Sequence, residues 1–196
     1  MEGFVKSLIT MFVIMDPFIS SLVFMEMSHG MSSREKSAEA LTAVCVAGGL
    51  LVLFSFSGPY LLEALKIDIR SFQIAGGVIL IIMGVQSVLE AAPEGSVQRP
   101  VGSKALGVII GTPLLTGPGA LMTITTLTKQ FGHLIPLLAS ATVLAFAWLM
   151  LRLSEQIDRL VGRRVIQVMS KLMGLLVTAI AVQYIVDAVK GYLSSS

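Results

Sequence analysis

Apolar residues run along this chain in six long blocks, not in the alternation of a half-buried strand or the one-sided stripe of a soluble helix. The blocks cover residues 4–25, 38–62, 71–89, 105–127, 134–151 and 172–189. Each is long enough, as a helix, to cross a hydrocarbon core of about 30 Å. Each is also about twice the length of a barrel strand and lacks its dyad alternation. The pattern predicts an all-α polytopic membrane protein with six transmembrane helices. The first block does not read as a cleaved signal: it is too long, Asp16-Pro17 interrupts it, and no small-x-small site follows.

Polar residues punctuate the blocks. Ser32-Ser33-Arg34-Glu35 has the spacing of a capping box just before the second block. The stretch from Ala91 to Lys104 holds Pro93, Gly95, Pro100 and Gly102 and reads as a linker. It divides the chain into a first three-helix repeat over 1–92, a linker over 93–103 and a second three-helix repeat over 104–196, forming one membrane domain.

The halves resemble each other. Slid by 97 residues, Gly77 falls on Gly174, Val85-Gln86 on Val182-Gln183 and Glu90-Ala91 on Asp187-Ala188. Slid by 96, Met15-Asp16-Pro17 falls on Gly111-Thr112-Pro113. Three helices per repeat is an odd number, so the second copy enters the bilayer inverted. Inverted repeats with paired broken helices point to a secondary transporter with its site near the midplane. Some channels share the pattern.

The breaks carry the candidate chemistry. In the first block, Asp16 precedes Pro17, which has no N–H and fits best at the first position of a helix. Asp is a natural N-cap there. Asp16 is the only formal charge well inside any block, and a mid-membrane charge costs about 2.5–3.5 kcal/mol on insertion scales. A purely structural cap and direct contact with substrate or a coupling cation are both open. In the fourth block, Gly111 to Gly119 holds three glycines and two prolines in nine residues. No regular helix accommodates that, and lipid tolerates such a break only against protein or a wet cavity. N–H groups from Gly119 onward would begin a helix and attract an anion. The candidate substrate-binding set is therefore Asp16, Ser20, Ser21, Thr112, Thr116, Gly117, Gly119 and Ala120. Gly48-Gly49, Gly76-Gly77 and Gly84 suit close helix packing. Gln86 and Gln183 are read as interhelical hydrogen-bonding groups.

Composition agrees with a bilayer setting. Hydrophobic residues are 55% and charged residues 13%, with a mean hydropathy of +0.86. A soluble surface needs roughly a quarter charged residues. A net charge of +2 gives no footprint for nucleic acid. Of the Lys and Arg residues, Arg34, Lys36, Arg99, Lys104, Arg152, Arg159, Arg163, Arg164 and Lys171 follow blocks one, three and five. The remaining five lie on the other side, so both termini are placed outside a plasma (cytoplasmic) membrane. Catalysis has little support: His29 and His133 fall in loops, and the lone Cys45 forms no internal disulfide. Neither an enzyme nor a bound cofactor or metal is expected.

At these residues the chain resembles the MarC family of six-helix membrane proteins. The matching pieces are Asp16-Pro17, Phe72-Gln73-Ile74-Ala75-Gly76-Gly77, the run from Pro113 to Ala120, Met173-Gly174 and Ala181-Val182-Gln183. Ile19 stands where the family usually has Gly, and Leu22 where it has a second Pro. The resemblance implies transport of a small neutral amino acid such as glycine or alanine. The substrate carboxylate would sit on the N–H groups near Gly117 to Ala120, and its ammonium would face Asp16 and the carbonyls around Ser20, Ser21 and Thr112. The repeats would rock about that site. The coupling ion, proton or sodium, is not legible. A channel or efflux exporter for another solute, and a non-transporting scaffold subunit, are the alternatives. The expected partners are a small-molecule substrate and the lipid bilayer, with no nucleic acid; a homo-oligomer is left open.

Overall fold

A computed structural model describes residues 1–89 and 106–193. The linker read over 93–103 lies outside them, as do Arg99 and Lys104 of the orientation argument and Glu90-Ala91 of the repeat. The described residues form helices α1 (Glu2–Met15), α2 (Pro17–Met27), α3 (Ser33–Ala64), α4 (Ile69–Leu89) and α5 (Leu106–Ile109), a π turn (Ile110–Leu115), then α6 (Pro118–Phe131), α7 (Leu134–Arg152), α8 (Ser154–Val161) and α9 (Arg163–Leu193). No strand occurs among them.

Five stretches are long and apolar enough to cross a bilayer: α1 and α2 together, α3, α4, α7 and α9. The fourth apolar block is different. It is divided among α5, the π turn and α6, so no single helix in it reaches that length. Helices α3 and α9 outrun the blocks read from the sequence. Their polar first turns carry no apolar signal, yet intrahelical hydrogen bonds continue through them. Ser32 caps α3 as its sequence predicts: Glu35 N–H donates to Ser32 Oγ at 3.3 Å and Ser32 N–H to Glu35 Oε2 at 2.8 Å. Helix α8 has no apolar block and is invisible to a hydropathy reading. Lys36 forms an ion pair with Glu155 of α8, and this holds the Glu155 carboxyl below its ordinary range. That exposed contact is present above the normal Glu pKa and is lost as pH falls through the lowered one.

The two sequence halves interlock. Helix α3 packs along α5, the π turn and α6, all from the other half. Helix α7 packs along α1 and α2, the reciprocal arrangement. Helix α3 meets α7, α1 meets α6, and α4 packs along α9 in the most extensive contact among the described residues.

Glycines set the closest approaches. A Cβ on Gly77 would lie 2.6 Å from Ile185 Cγ1 and 3.0 Å from the Ala181 carbonyl oxygen. A Cβ on Gly174 would lie 2.9 Å from the Gly84 oxygen. Gly76 and Gly84 are equally tight, whereas Gly49 faces open space. The packing reading thus holds for α4 and not for all of α3. Gln86 is exposed, and Gln183 donates to Asp187 Oδ1 at 2.7 Å within its own helix, so neither shows the interhelical bond expected of it.

The broken helix runs through the middle of the bundle. In Glu2–Met27 the apolar window is 61% buried, against 28% in α3, α4 and α9, which present apolar side chains outward. Helix α6 is likewise enclosed, with Gly119, Ala120 and the run from Met122 to Thr128 buried.

Candidate functional site

The break in the first apolar block is a single residue. Asp16 has φ 35° and ψ 77°, a left-handed conformation that costs most residues about 1–2 kcal/mol and that Asp tolerates through local hydrogen bonds. Its Oδ1 accepts from the N–H groups of Phe18 and Ile19, both at 3.2 Å. Those are first-turn donors of α2, and Pro17 has none to satisfy. The Asp16 carbonyl accepts from Ser20 N–H at 3.2 Å and Ser20 Oγ at 3.1 Å. Ser21 Oγ donates to the Phe18 carbonyl at 2.8 Å. The chain thus turns without orphaning its polar groups, which lipid would not forgive.

The second carboxylate oxygen reaches across the fold. Ser170 Oγ of α9 donates to Asp16 Oδ2 at 2.9 Å, and both residues are buried. Sequence reasoning missed Ser170 because it lies just before the last apolar block; its only local signal was a lone hydroxyl among Met169, Lys171 and Leu172. Replacing Ser170 by Ala is expected to leave Oδ2 unbonded and to cost about 1–3 kcal/mol. A lowered melting temperature in detergent, with α-helix content unchanged, is the result to look for.

The fourth block breaks differently. The π turn takes up Pro113, and the Thr116 hydroxyl donates back to the Gly111 carbonyl at 2.6 Å. The helix restarts at Pro118, with Gly117 as an N-cap that offers no side chain. Pro118 thus opens α6 as Pro17 opens α2, while Pro113, which the 96-residue offset sets on Pro17, lies within the π turn. Gly117 C=O accepts from Ala120 N–H at 2.9 Å. Gly111 serves packing: a Cβ there would lie 2.5 Å from the Ala43 carbonyl oxygen of α3.

The fold brings the two breaks together. A Cβ on Gly119 would run into Leu80 of α4 and would lie 3.6 Å from Ile14 Cγ2, two residues before Asp16. Helix α2 also touches the π turn. Asp16, Ser20, Ser21, Thr116, Gly117, Gly119 and Ala120 are all buried around this junction. Thr112 stands apart: it is exposed and its hydroxyl donates to the Val108 carbonyl at 2.8 Å. Among the described residues no group of three or more His, Cys, Asp or Glu side chains has metal-binding geometry. The arrangement offers one buried carboxylate beside one helix start without a side-chain cap. Such a pair can meet the opposite charges of a small zwitterion.

No solved structure matches the chain. Its sequence relatives are full-length. A UPF0056 membrane protein of Methanocaldococcus jannaschii is 27% identical, with 98% of each chain covered. The UPF0056 inner membrane protein YhgN of Escherichia coli K12 is 25% identical over 97% of this chain and 98% of its own. A UPF0056 membrane protein of Aquifex aeolicus is 28% identical over 97% and 94%. The family model described as MarC family integral membrane protein matches residues 1–193, which take in both breaks and the helices around them. The resemblance carried by Asp16-Pro17 and the run from Pro113 to Ala120 thus extends along the whole helical bundle, and the chain belongs to the MarC family of integral membrane proteins.

Proposed function

We propose that this protein is a secondary transporter of small neutral amino acids, of the size of glycine or alanine, with six membrane crossings arranged as two inverted three-helix repeats. The observation that carries the reading is the meeting of two broken helices at a buried carboxylate. Helix α2 begins at Pro17 under Asp16, α6 begins at Pro118 without a side-chain cap, and Gly119 lies against Ile14. Irregular backbone inside a membrane bundle persists where it lines a cavity or a site. The substrate carboxylate would take the Gly119 N–H at the start of α6, where Pro118 has none and the Ala120 N–H is already bonded to the Gly117 carbonyl, and the ammonium would take Asp16. Reciprocal packing of α3 on the second broken helix and α7 on the first supports the inverted repeat.

The reading is tested with the purified protein. A thermal-shift screen against the amino acids should raise the melting temperature with glycine, alanine or serine and not with large side chains, because a ligand of the native state stabilises it. Uptake of radiolabelled glycine and L-alanine into liposomes holding this chain alone then separates a transporter from a scaffold subunit. Saturation and dependence on an imposed ion gradient separate it from a channel. No stabilisation and no uptake of any small amino acid would end the amino-acid reading.

Placement in a cytoplasmic membrane with both termini outside belongs to the same proposal, and YhgN carries the words inner membrane in its name. Arg163 and Arg164 open α9 and would face the cytoplasm. A C-terminal alkaline phosphatase fusion is expected to be active and a green fluorescent fusion dark. The reverse pattern would invert the orientation.

A further inference from the structure

Most helix hydroxyls in this fold share one habit. Thr42, Ser57, Thr125, Ser140, Thr142 and Thr178 each donate to the carbonyl four residues back, at 2.7–2.9 Å. That bond satisfies a hydroxyl wherever a helix carries it. Ser7 of α1 and Thr123 of α6 depart from it. Both are fully buried, and neither Ser7 Oγ nor Thr123 Oγ1 has a hydrogen-bond partner, although Gly3 and Gly119 stand four residues back. The Tyr184 hydroxyl of α9 approaches Thr123 without closing a bond. A buried hydroxyl left without a bond is costly, so two of them in one place ask for an explanation.

The two face one seam. A Cβ on Gly3 would lie 2.9 Å from the Phe131 ring, and one on Gly119 would lie 3.6 Å from Ile14, so α1 and α6 run antiparallel and touch at both ends. Gly3, Ser7, Thr10 and Ile14 recur at the spacing of one helix face, as do Gly119, Thr123 and Thr126. The register set by the two contacts brings Thr10 level with Thr123 and Ser7 level with Thr126. All four hydroxyl residues are buried, and Thr126 reaches only the Met122 sulfur, at 3.5 Å. None of the seven positions is charged. This ladder begins one helical turn from Gly119 and ends beneath Phe131, whose ring also lies under the Lys6 ammonium at 5.9 Å. Each helix stops at a break, α1 at Asp16 and α6 at Gly117, and the far end of α6 is Gly132 at φ 74° with open space around it.

We infer that the α1–α6 seam is the passage between the helix junction and the side of the membrane that holds the N-terminus. Ser7, Thr10, Thr123 and Thr126 are its solute-binding residues, and Phe131 against Gly3 is its gate, closed in this state. The passage takes a small zwitterion. A hydroxyl both donates and accepts, so one rung serves the ammonium and the carboxylate alike, whereas a charged side chain would hold one end and stop the solute. The rungs follow one another at about one helical turn, roughly 5 Å, within reach of a solute that has not yet left the rung before. The seam widens as α1 and α6 tilt at their breaks, without moving α2 or the π turn. The inference rests on the transporter reading, because it carries the solute to and from the Gly119 N–H.

Two measurements with opposite signs test it. Ser7→Ala and Thr123→Val remove hydroxyls that have no bond in this state, so the melting temperature in detergent should hold or rise. Glycine uptake into liposomes should nevertheless fall about fivefold in each, the share of one hydrogen bond, and Thr123→Ser should restore it. A lowered melting temperature in both variants would make the hydroxyls structural, and wild-type uptake in both would mean that no solute passes them; either result overturns the proposal. Accessibility tests the passage without reference to solute. In a Cys45→Ser background, Ser7→Cys and Thr123→Cys should react in membrane vesicles with a small cationic methanethiosulfonate, while Ala147→Cys, equally enclosed in α7, should not. Adding Phe131→Ala should speed the reaction at Ser7→Cys, and an unchanged rate would overturn the gate. No reaction at either position in vesicles whose wild-type protein takes up glycine removes this passage and leaves the transporter reading standing. Reaction at both in a protein that takes up no amino acid keeps the passage and removes the substrate.

Discussion

Replacing Asp16 by Ala is expected to abolish glycine and alanine uptake and to destabilise the protein; replacing it by Asn is expected to abolish uptake alone. The two outcomes separate because Asp16 does three things. It caps α2 through the bonds to Phe18 and Ile19, it holds a left-handed backbone at φ 35°, and it places a carboxylate against Ser170. Alanine loses all three. The cap is worth about 1 kcal/mol and the left-handed conformation roughly another 1–2 kcal/mol. Asparagine keeps the capping oxygen and tolerates the left-handed region, and the Ser170 hydroxyl can turn to accept from the new amide. Only the charge is gone. Melting near the wild-type temperature with uptake lowered at least about tenfold is therefore the Asn result that supports a charge role, equivalent to about 1.4 kcal/mol of lost interaction with the solute's ammonium. Wild-type uptake by Asp16→Asn at every pH would reduce Asp16 to a cap.

The sequence made the breaks legible because Pro and Gly act locally. Pro17 removes a donor wherever it stands, and the run from Gly111 to Gly119 cannot form regular α-helix in any fold. The capping box at Ser32 is local in the same sense. What escaped were partners fixed by packing. Ser170 meets Asp16 across 154 residues, and nothing in a hydroxyl beside Lys171 announces that contact. Gly111 reads in the sequence only as part of the break, and it is a close approach to the Ala43 carbonyl. The restart at Pro118 depends on whether a π turn absorbs Pro113, and that turn packs on α3. The interlocking of the halves is also silent in the sequence, since apolar helices of equal length carry no label for their neighbours. The 97-residue offset sets Gly77 on Gly174, and both lie at the α4–α9 contact, which the offset itself does not announce.

Two glycine substitutions of similar chemistry are expected to act in opposite ways. Gly84→Ala should lower the melting temperature strongly while leaving the surviving folded protein able to bind. Its new Cβ would meet Thr178 Oγ1 and lie 2.6 Å from the Gly174 carbonyl oxygen, a backbone atom that cannot turn away. The helices must part along the longest contact of the fold, and overpacking of this kind costs about 1–3 kcal/mol. Gly119→Val adds more bulk, but what it meets is the methyl end of Leu80 and, at 3.6 Å, Ile14. A leucine terminus can change rotamer where a carbonyl cannot. The protein should insert, stay monodisperse in detergent and melt closer to wild type than Gly84→Ala. Its binding should fail, because the isopropyl group and the displaced Leu80 occupy the approach to the residue 119 N–H at the start of α6. Calorimetry with glycine on both variants, beside their melting temperatures, decides the matter. Wild-type affinity in Gly119→Val would mean that the solute does not use the start of α6, and the site would have to be sought on the Asp16 side of the junction alone.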